Sequence, residues 1–181
     1  MKKIFLALFL FCIYSVSNAQ ISQGNILAGG AVSFTSQKYS GGGSSTNVLH
    51  VMPDAGYFFA DKIAGGIRAS FTNYSDAGNS YRDLLIGPFA RYYFLPVAQK
   101  TNIFLEGSFA VGIQKYDGFD AESKSQFGFS AGPAFFLNPH VAVEATLNWS
   151  SLKYKDDNGR FNTFGLAIGF QVHLNCKKQK K

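Results

Sequence analysis

The sequence predicts an all-β chain, an eight-stranded antiparallel up-and-down transmembrane β-barrel. Three observations carry that expectation. Apolar and polar residues alternate with period two in eight successive segments, the weak signature of strands that cross a membrane. The connections alternate between long polar stretches and tight turns. Three proline-led phrases recur, each running into a short turn followed by an apolar, alternating restart.

What precedes the first strand reads as a leader. Lys2 and Lys3 form a cationic start, Ile4 to Val16 an apolar core, and Ser17-Asn18-Ala19 a small-residue cleavage site before Gln20. About a dozen apolar residues fall short of the roughly 20 that a membrane helix needs. Cys12 lies inside the apolar core behind the bulky Phe11, which argues against a lipoprotein signal. The expected organisation is a cleaved signal peptide (1–19), a barrel domain (20–175) and a basic periplasmic tail (176–181). Roughly 160 residues remain, enough for one domain. Exported proteins often use disulfides, but Cys176 alone follows the leader, so hydrogen bonding and packing must hold the fold.

The strands are expected near 25–36, 47–59, 62–73, 81–95, 101–114, 125–137, 140–152 and 161–174. Each is long enough to cross a bilayer at a tilt, which takes about 9–11 residues. Between the first and second lies QKYSGGGSSTN, between the third and fourth TNYSDAGNSY, then QKYDGFDAES and KYKDDNGR at the later odd gaps. The even gaps are short: Ala60-Asp61, Pro96 to Lys100, and Asn138-Pro139. Long loops on one rim and tight turns on the other place both termini on the tight-turn, periplasmic side.

Alternation alone does not say which face meets lipid, since a soluble ligand-binding barrel also alternates. Composition decides. In the seventh segment Val141, Val143, Ala145, Leu147 and Trp149 oppose Ala142, Glu144, Thr146, Asn148 and Ser150. In the eighth, Phe164, Leu166, Ile168, Phe170 and Val172 oppose Thr163, Gly165, Ala167, Gly169 and Gln171. A water-facing surface carries far more Lys and Glu than these polar faces do. The interior of an eight-stranded barrel is only wide enough for side chains to fill. Small residues with a few isolated charges therefore point inward, and the aromatic face meets lipid. Tyr57, Phe59, Tyr92, Phe94 and Trp149 are the expected interfacial girdle.

Parity also places a charge layer. Arg91, in the middle of GPFARYYF, is inward with Gly87, Phe89 and Tyr93. Reflection about the following turn sets it near Glu106, and reflection about Ala60-Asp61 sets Asp54 near Arg68. Glu144 lies at similar depth. The expectation is a buried layer of two guanidiniums and three carboxylates that plugs the lumen, because a paired, hydrogen-bonded set persists where an unpaired charge does not. Pro53, Pro88 and Pro133 fall on outward parity near the tight turns. Proline removes a ladder bond, so local bulges or bends near the rim are expected there.

The net charge of +6 is no argument for nucleic acid. Of 17 Lys and Arg, Lys2 and Lys3 lie in the leader and Lys177, Lys178, Lys180 and Lys181 in the tail, leaving 11 against 11 acids. A basic face would be needed, and the body is neutral.

No catalytic constellation, metal site or cofactor is expected. His50 and His173 are inward and His140 lies in a turn; a lone inward histidine reads as a structural hydrogen-bonding residue. Ser44 and Ser45 are too close to His50 in sequence to make a persuasive hydrolase site. Gly41-Gly42-Gly43-Ser44-Ser45 is a flexible tip, since neither Gly-Lys-Ser/Thr nor a helix follows. In Asp156-Asp157-Asn158-Gly159 the Asn-Gly pair reads as a hairpin turn rather than part of a calcium loop. Asp117, Asp120 and Glu122 make the third long loop acidic and solvated.

With GYFFADKIAGG, GPFARYYF and AGPAFFLNPHVAVEA in view, the mature chain resembles the small OmpA/OmpX-like outer membrane protein beta-barrel domain family. The final strand resembles a barrel-assembly signal, Thr163-x-Gly165-x-x-Ile168-x-Phe170, but continues past Phe170 to Lys181. The resemblance implies an outer-membrane barrel with membrane lipids and the barrel-assembly machinery as partners. It leaves activity open, because fold does not fix function. No wall-binding domain is expected after the barrel. The expected function is a non-enzymatic barrel with a filled lumen and loops for structural, adhesion or interaction roles, through a surface ligand or protein. The alternatives are a narrow channel for ions or small solutes, a lipid-A-modifying barrel enzyme and a soluble ligand-binding barrel.

Overall fold

The computed structural model describes residues 21–38, 45–76, 79–116 and 120–175. The expected leader with Cys12, the tip Gly41–Ser44, Asp117, and Cys176 with the basic tail lie outside the described residues.

Eight strands follow one another without an intervening helix: β1 (Asn25–Lys38), β2 (Ser45–Ala60), β3 (Ile63–Asp76), β4 (Asn79–Tyr93), β5 (Thr101–Tyr116), β6 (Glu122–Asn138), β7 (Val141–Tyr154) and β8 (Phe161–Asn175). Each pairs antiparallel with its sequence neighbours, and β1 meets β8 to close the barrel. At the loop rim the strands generally run two or three residues beyond the segments the alternation marks. Lys38, Ser45, Asp76, Asn79, Tyr116, Glu122 and Tyr154 are all strand residues. Polarity contrast ends where the hydrocarbon ends, whereas ladder hydrogen bonds continue into water.

The tight-turn rim is held by local chemistry. Lys62, with φ 70, is the one non-glycine residue at positive φ among the described residues, and it makes the two-residue turn after Ala60. Between β4 and β5, Asn102 acts as a staple. Its Oδ1 accepts from Leu95 N at 3.0 Å and Ile103 N at 2.9 Å, and its Nδ2 donates to Leu95 O at 3.1 Å. Residues 21–24 cross this rim, with Gly24 N donating to Phe58 O and Lys62 N to Ile21 O.

The expected bulges at the prolines do not occur. Register shifts fall beside the turns, where Phe59 and Leu137 are the extra residues. At the prolines the register is unbroken and the ladder opens for two residues on one side. Pro53 still pairs with Gly30, Pro88 with Ile67 and Pro133 with Ile103. The bridges to β3, β5 and β7 are missing at Met52-Pro53, Gly87-Pro88 and Gly132-Pro133. The reason is that the absent N–H faces only one neighbour, so only that neighbour loses its bond. Asn158-Gly159 lies in the connection of the β7–β8 hairpin, as expected, but not as a two-residue turn, which needs positive φ at both positions where neither has it. Residues 155–160 form a longer connection in which Asp157 Oδ1 accepts from Gly159 N at 2.9 Å.

The large apolar side chains of Ile67, Ile86, Leu105, Phe129, Leu147, Leu166 and Phe170 all lie exposed on the outward parity. The inward parity carries both the buried apolar core and the buried charges. This is the reverse of a soluble barrel.

Candidate functional site

The lumen is built in layers, each strand contributing alternate residues. At the tight-turn end Phe58, Tyr93, Phe104, Phe136 and His173 pack together with Ile21 and Leu27, and all are buried. The rings of Phe58 and Tyr93 stack at 6.0 Å, and His173 lies 5.6 Å from Phe58 and 5.2 Å from Phe136. These residues come from strands well separated around the barrel, so their rings meet across its axis at that end.

Above them lies the charge layer, which brings all five of Asp54, Arg68, Arg91, Glu106 and Glu144 together. Asp54 and Arg68 are register partners on β2 and β3, as are Arg91 and Glu106 on β4 and β5. Arg68 Nη2 donates to Asp54 Oδ2 at 2.8 Å and to Glu106 Oε2 at 3.1 Å, and its Nη1 donates to Glu106 Oε1. Arg91 Nε donates to Glu106 Oε2 at 2.9 Å, and its Nη1 reaches across the lumen to Glu144 Oε1 at 2.7 Å. Tyr93 Oη lies 3.1 Å from the same Nη1, and Gln171 Nε2 donates to Asp54 at 3.1 Å. The guanidiniums also lie over rings, Arg91 at 4.2 Å from the Phe104 centroid and Arg68 at 5.0 Å from that of Phe89. Planar forks shared between carboxylates are the geometry that offsets desolvation of buried ions.

A second polar layer lies toward the loops. Lys124 Nζ donates to Asp83, and Gln114 links Tyr116 and Tyr154 through hydrogen bonds of 2.6 Å each. Tyr74 and Tyr81 stack at 4.8 Å, and Tyr81 lies 5.4 Å from Tyr116. This layer was not anticipated, although parity held the signal. Asp83 shares the face of Arg91, and Lys124 shares that of Ala134.

Between the two layers is a small chamber of about 40 Å³, with Met52, Ser130, Thr146, Asn148 and Ala167 among its walls and the charge layer as its floor. Ser130 Oγ donates to Asn148 Oδ1 at 2.7 Å.

The histidines are absorbed structurally. His50 Nε2 and Ser70 Oγ share a hydrogen bond of 2.9 Å, His140 Nδ1 donates to His173 O at 2.9 Å, and His173 is in the aromatic layer. Among the described residues no group of three metal-ligating side chains converges. Asp120 is exposed and Glu122 begins β6.

On the outer surface Tyr57 and Phe59 meet edge to face at 5.6 Å, and Tyr92 and Phe94 at 5.0 Å. All four are exposed near the tight-turn rim. Trp149 is half-buried on β7, stacked on Phe129 at 6.1 Å and edge-on to Phe127 at 5.5 Å.

Comparison with solved structures finds the same architecture in small barrels. Neisserial surface protein A is 17% identical, with a TM-score of 0.60 over 83% of this chain and 97% of that one. The N-terminal β-barrel domain of Pseudomonas aeruginosa OprF is 14% identical, with a TM-score of 0.53 over 84% and 98%. The outer membrane protein OprG from the same organism is 14% identical, with a TM-score of 0.52 over 88% and 99%. At these identities the likeness is one of fold. A sequence comparison with curated proteins finds no match. The profile of the outer membrane protein beta-barrel domain matches residues 4–171. An apolar outer wall, buried polar groups on the inward face and this match agree: the chain belongs to the outer membrane protein beta-barrel domain family and sits in the lipid of the outer membrane.

Proposed function

We propose that the protein is a non-enzymatic integral barrel whose lumen is sealed by side chains and whose long loops serve structural, adhesion or interaction roles. The observation that carries this reading is the pair of stacked layers, rings at the tight-turn end and the five-charge layer above them. Together they set packed rings and paired charges across the barrel axis, which supports a lumen closed to hydrated ions. A catalytic reading has one candidate pair, Ser70 Oγ at 2.9 Å from His50 Nε2, but among the described residues no carboxylate hydrogen-bonds that imidazole to complete a triad. Both termini are periplasmic in this reading, the leader is removed on export, and the assembly machinery reads β8.

Planar-bilayer recording tests the seal. The wild-type protein should give no steady conductance. Glu106→Gln or Arg91→Met, which unlock the charge layer, should raise the frequency of brief openings. Steady wild-type current would replace this reading with that of a narrow channel. Release of fatty acid from lipid A by the pure protein, lost in His50→Ala, would replace it with an enzyme.

A further inference from the structure

The barrel is not zipped along its whole height. β1 and β8 pair from Asn25↔Asn175 to Ala31↔Gly169 and no further. Beyond that point β1 continues to Lys38, paired only with β2, and β8 runs back to Phe161, paired only with β7. Gly30, with φ 145, lies one residue before the last rung, where a backbone conformation rare for other residues lets β1 turn away from β8. The free stretch of β8 is correspondingly bare: Phe164 is 70% exposed and Leu166 85%. A Cβ added to Gly165, on the lumen face of that stretch, would meet nothing within 4 Å.

The opening adjoins the chamber above the charge layer, since the last rung, Ala31↔Gly169, and Ala167 just beyond it line the chamber. Along the axis the chamber is closed below by charges and rings and narrowed above by the tyrosine layer. The unzipped wall gives it a further side, which faces the bilayer. On the outer surface at the same depth a groove of about 560 Å³ crosses β6 to β8 beneath Leu147, Leu166 and Ile168. Thr146 and Ala167 border both chamber and groove.

We infer that the β1–β8 seam is a lateral doorway that takes the head of an uncharged, hydroxyl-bearing amphiphile from the bilayer into the chamber. The hydrocarbon tail stays outside, against the groove on β6–β8. A cavity of about 40 Å³ holds a group the size of a few waters, not a chain. The chamber walls offer neutral hydrogen-bonding groups on Ser130, Thr146 and Asn148. Gln171 Oε1 is buried there without a hydrogen-bond donor, an acceptor that a hydroxyl satisfies. The floor holds three carboxylates against two guanidiniums, so a carboxylate head is disfavoured. Unpaired strand edges are costly in hydrocarbon, so the two free edges can also zip in register, Val32 against Ile168.

The test uses the protein in lipid nanodiscs with a long-chain alcohol bearing a diazirine next to its hydroxyl, and maps the photo-adducts by mass spectrometry. Adducts are expected on the lumen-facing Met52 and Thr146. Gly165→Trp, which fills the open space, should lower them at least tenfold while heat-modifiable gel mobility is retained. In a Cys176→Ser background, oxidised Val32→Cys/Ile168→Cys should do the same, with recovery on reduction. The matching diazirine fatty acid should label these residues several-fold less at neutral pH. Adducts confined to outward residues such as Leu147 and Leu166 would overturn the doorway. So would labelling that survives whichever of the two blocks folds and forms. Equal or stronger labelling by the fatty acid would overturn the choice of head group.

Discussion

Arg91 and Glu106 face each other as register partners on β4 and β5 and are joined at 2.9 Å inside the lumen. Glu106 also receives Arg68, and Arg91 also holds Glu144. The contact between these two residues is thus the link that makes one network out of five strands. A run such as GPFARYYF can carry a permanent cation because Arg91 lies inside the ring of strands with Phe89 and Tyr93, while Tyr92 and Phe94 lie outside.

Removing one member should therefore cost more than removing a matched pair. Arg91→Met leaves Glu144 without its guanidinium and should destabilise the barrel by about 3–5 kcal/mol, the usual cost of breaking a buried pair. Arg91→Met with Glu144→Gln should recover part of that loss. Urea unfolding in detergent micelles measures both. Strictly additive losses would show that the two side chains act independently.

Gly87 and Pro88 should respond in opposite ways. A Cβ on Gly87 would lie 2.0 Å from Phe109 O, so Gly87→Ala forces β4 and β5 apart and should lower the unfolding midpoint. Pro88→Ala restores an N–H toward β5. Amide exchange at Phe109 and Ala110 should slow in that variant, and faster exchange would contradict the account of the open rungs.

Adjacent residues on β7 should report opposite solvents. Leu147 is exposed outward, while Asn148 bonds Ser130 across the lumen side. With spin labels at Leu147→Cys and Asn148→Cys in bilayers, dissolved oxygen should relax the first strongly and the second weakly. The reverse order would invert the assignment of faces.

The ring layer should be worth stability without being the whole seal. Phe58 is fully buried between Tyr93 and His173. Phe58→Ala should cost about 3–5 kcal/mol, as large-to-small changes in a packed core do. Bilayer conductance should stay closed, because the charge layer above is untouched. Steady current in this variant would move the seal from the charges to the rings.

Strand identity and order were legible because a two-residue period across a two-faced wall leaves its mark on every strand. The meetings of Asp54 with Arg68 and of Arg91 with Glu106 were legible for a related reason. A tight turn fixes the register of the hairpin around it, so counting outward from the turn finds the partner. Features that depend on strands far apart in sequence left no such trace. Parity placed Glu144 at the depth of the layer, but its particular bond to Arg91 needs the barrel's diameter, and the end of pairing at Ala31↔Gly169 concerns the first and last strands. The prolines misled because their recurrence shows that rungs are lost but not that register survives the loss. Lys124 and Asp83 were missed for want of a turn nearby from which to count.

The distribution of the five ions over β2, β3, β4, β5 and β7 has a consequence for the order of events during biogenesis. The β2–β3 and β4–β5 hairpins each pair one guanidinium with one carboxylate but leave Arg68 and Arg91 half-engaged, and β7 arrives with Glu144 bare. A nascent sheet that slid into oil one ribbon at a time would drag orphan ions with it. Curling must therefore be nearly finished before the sheet is released from shelter, so insertion of this chain should be all-or-none rather than stepwise.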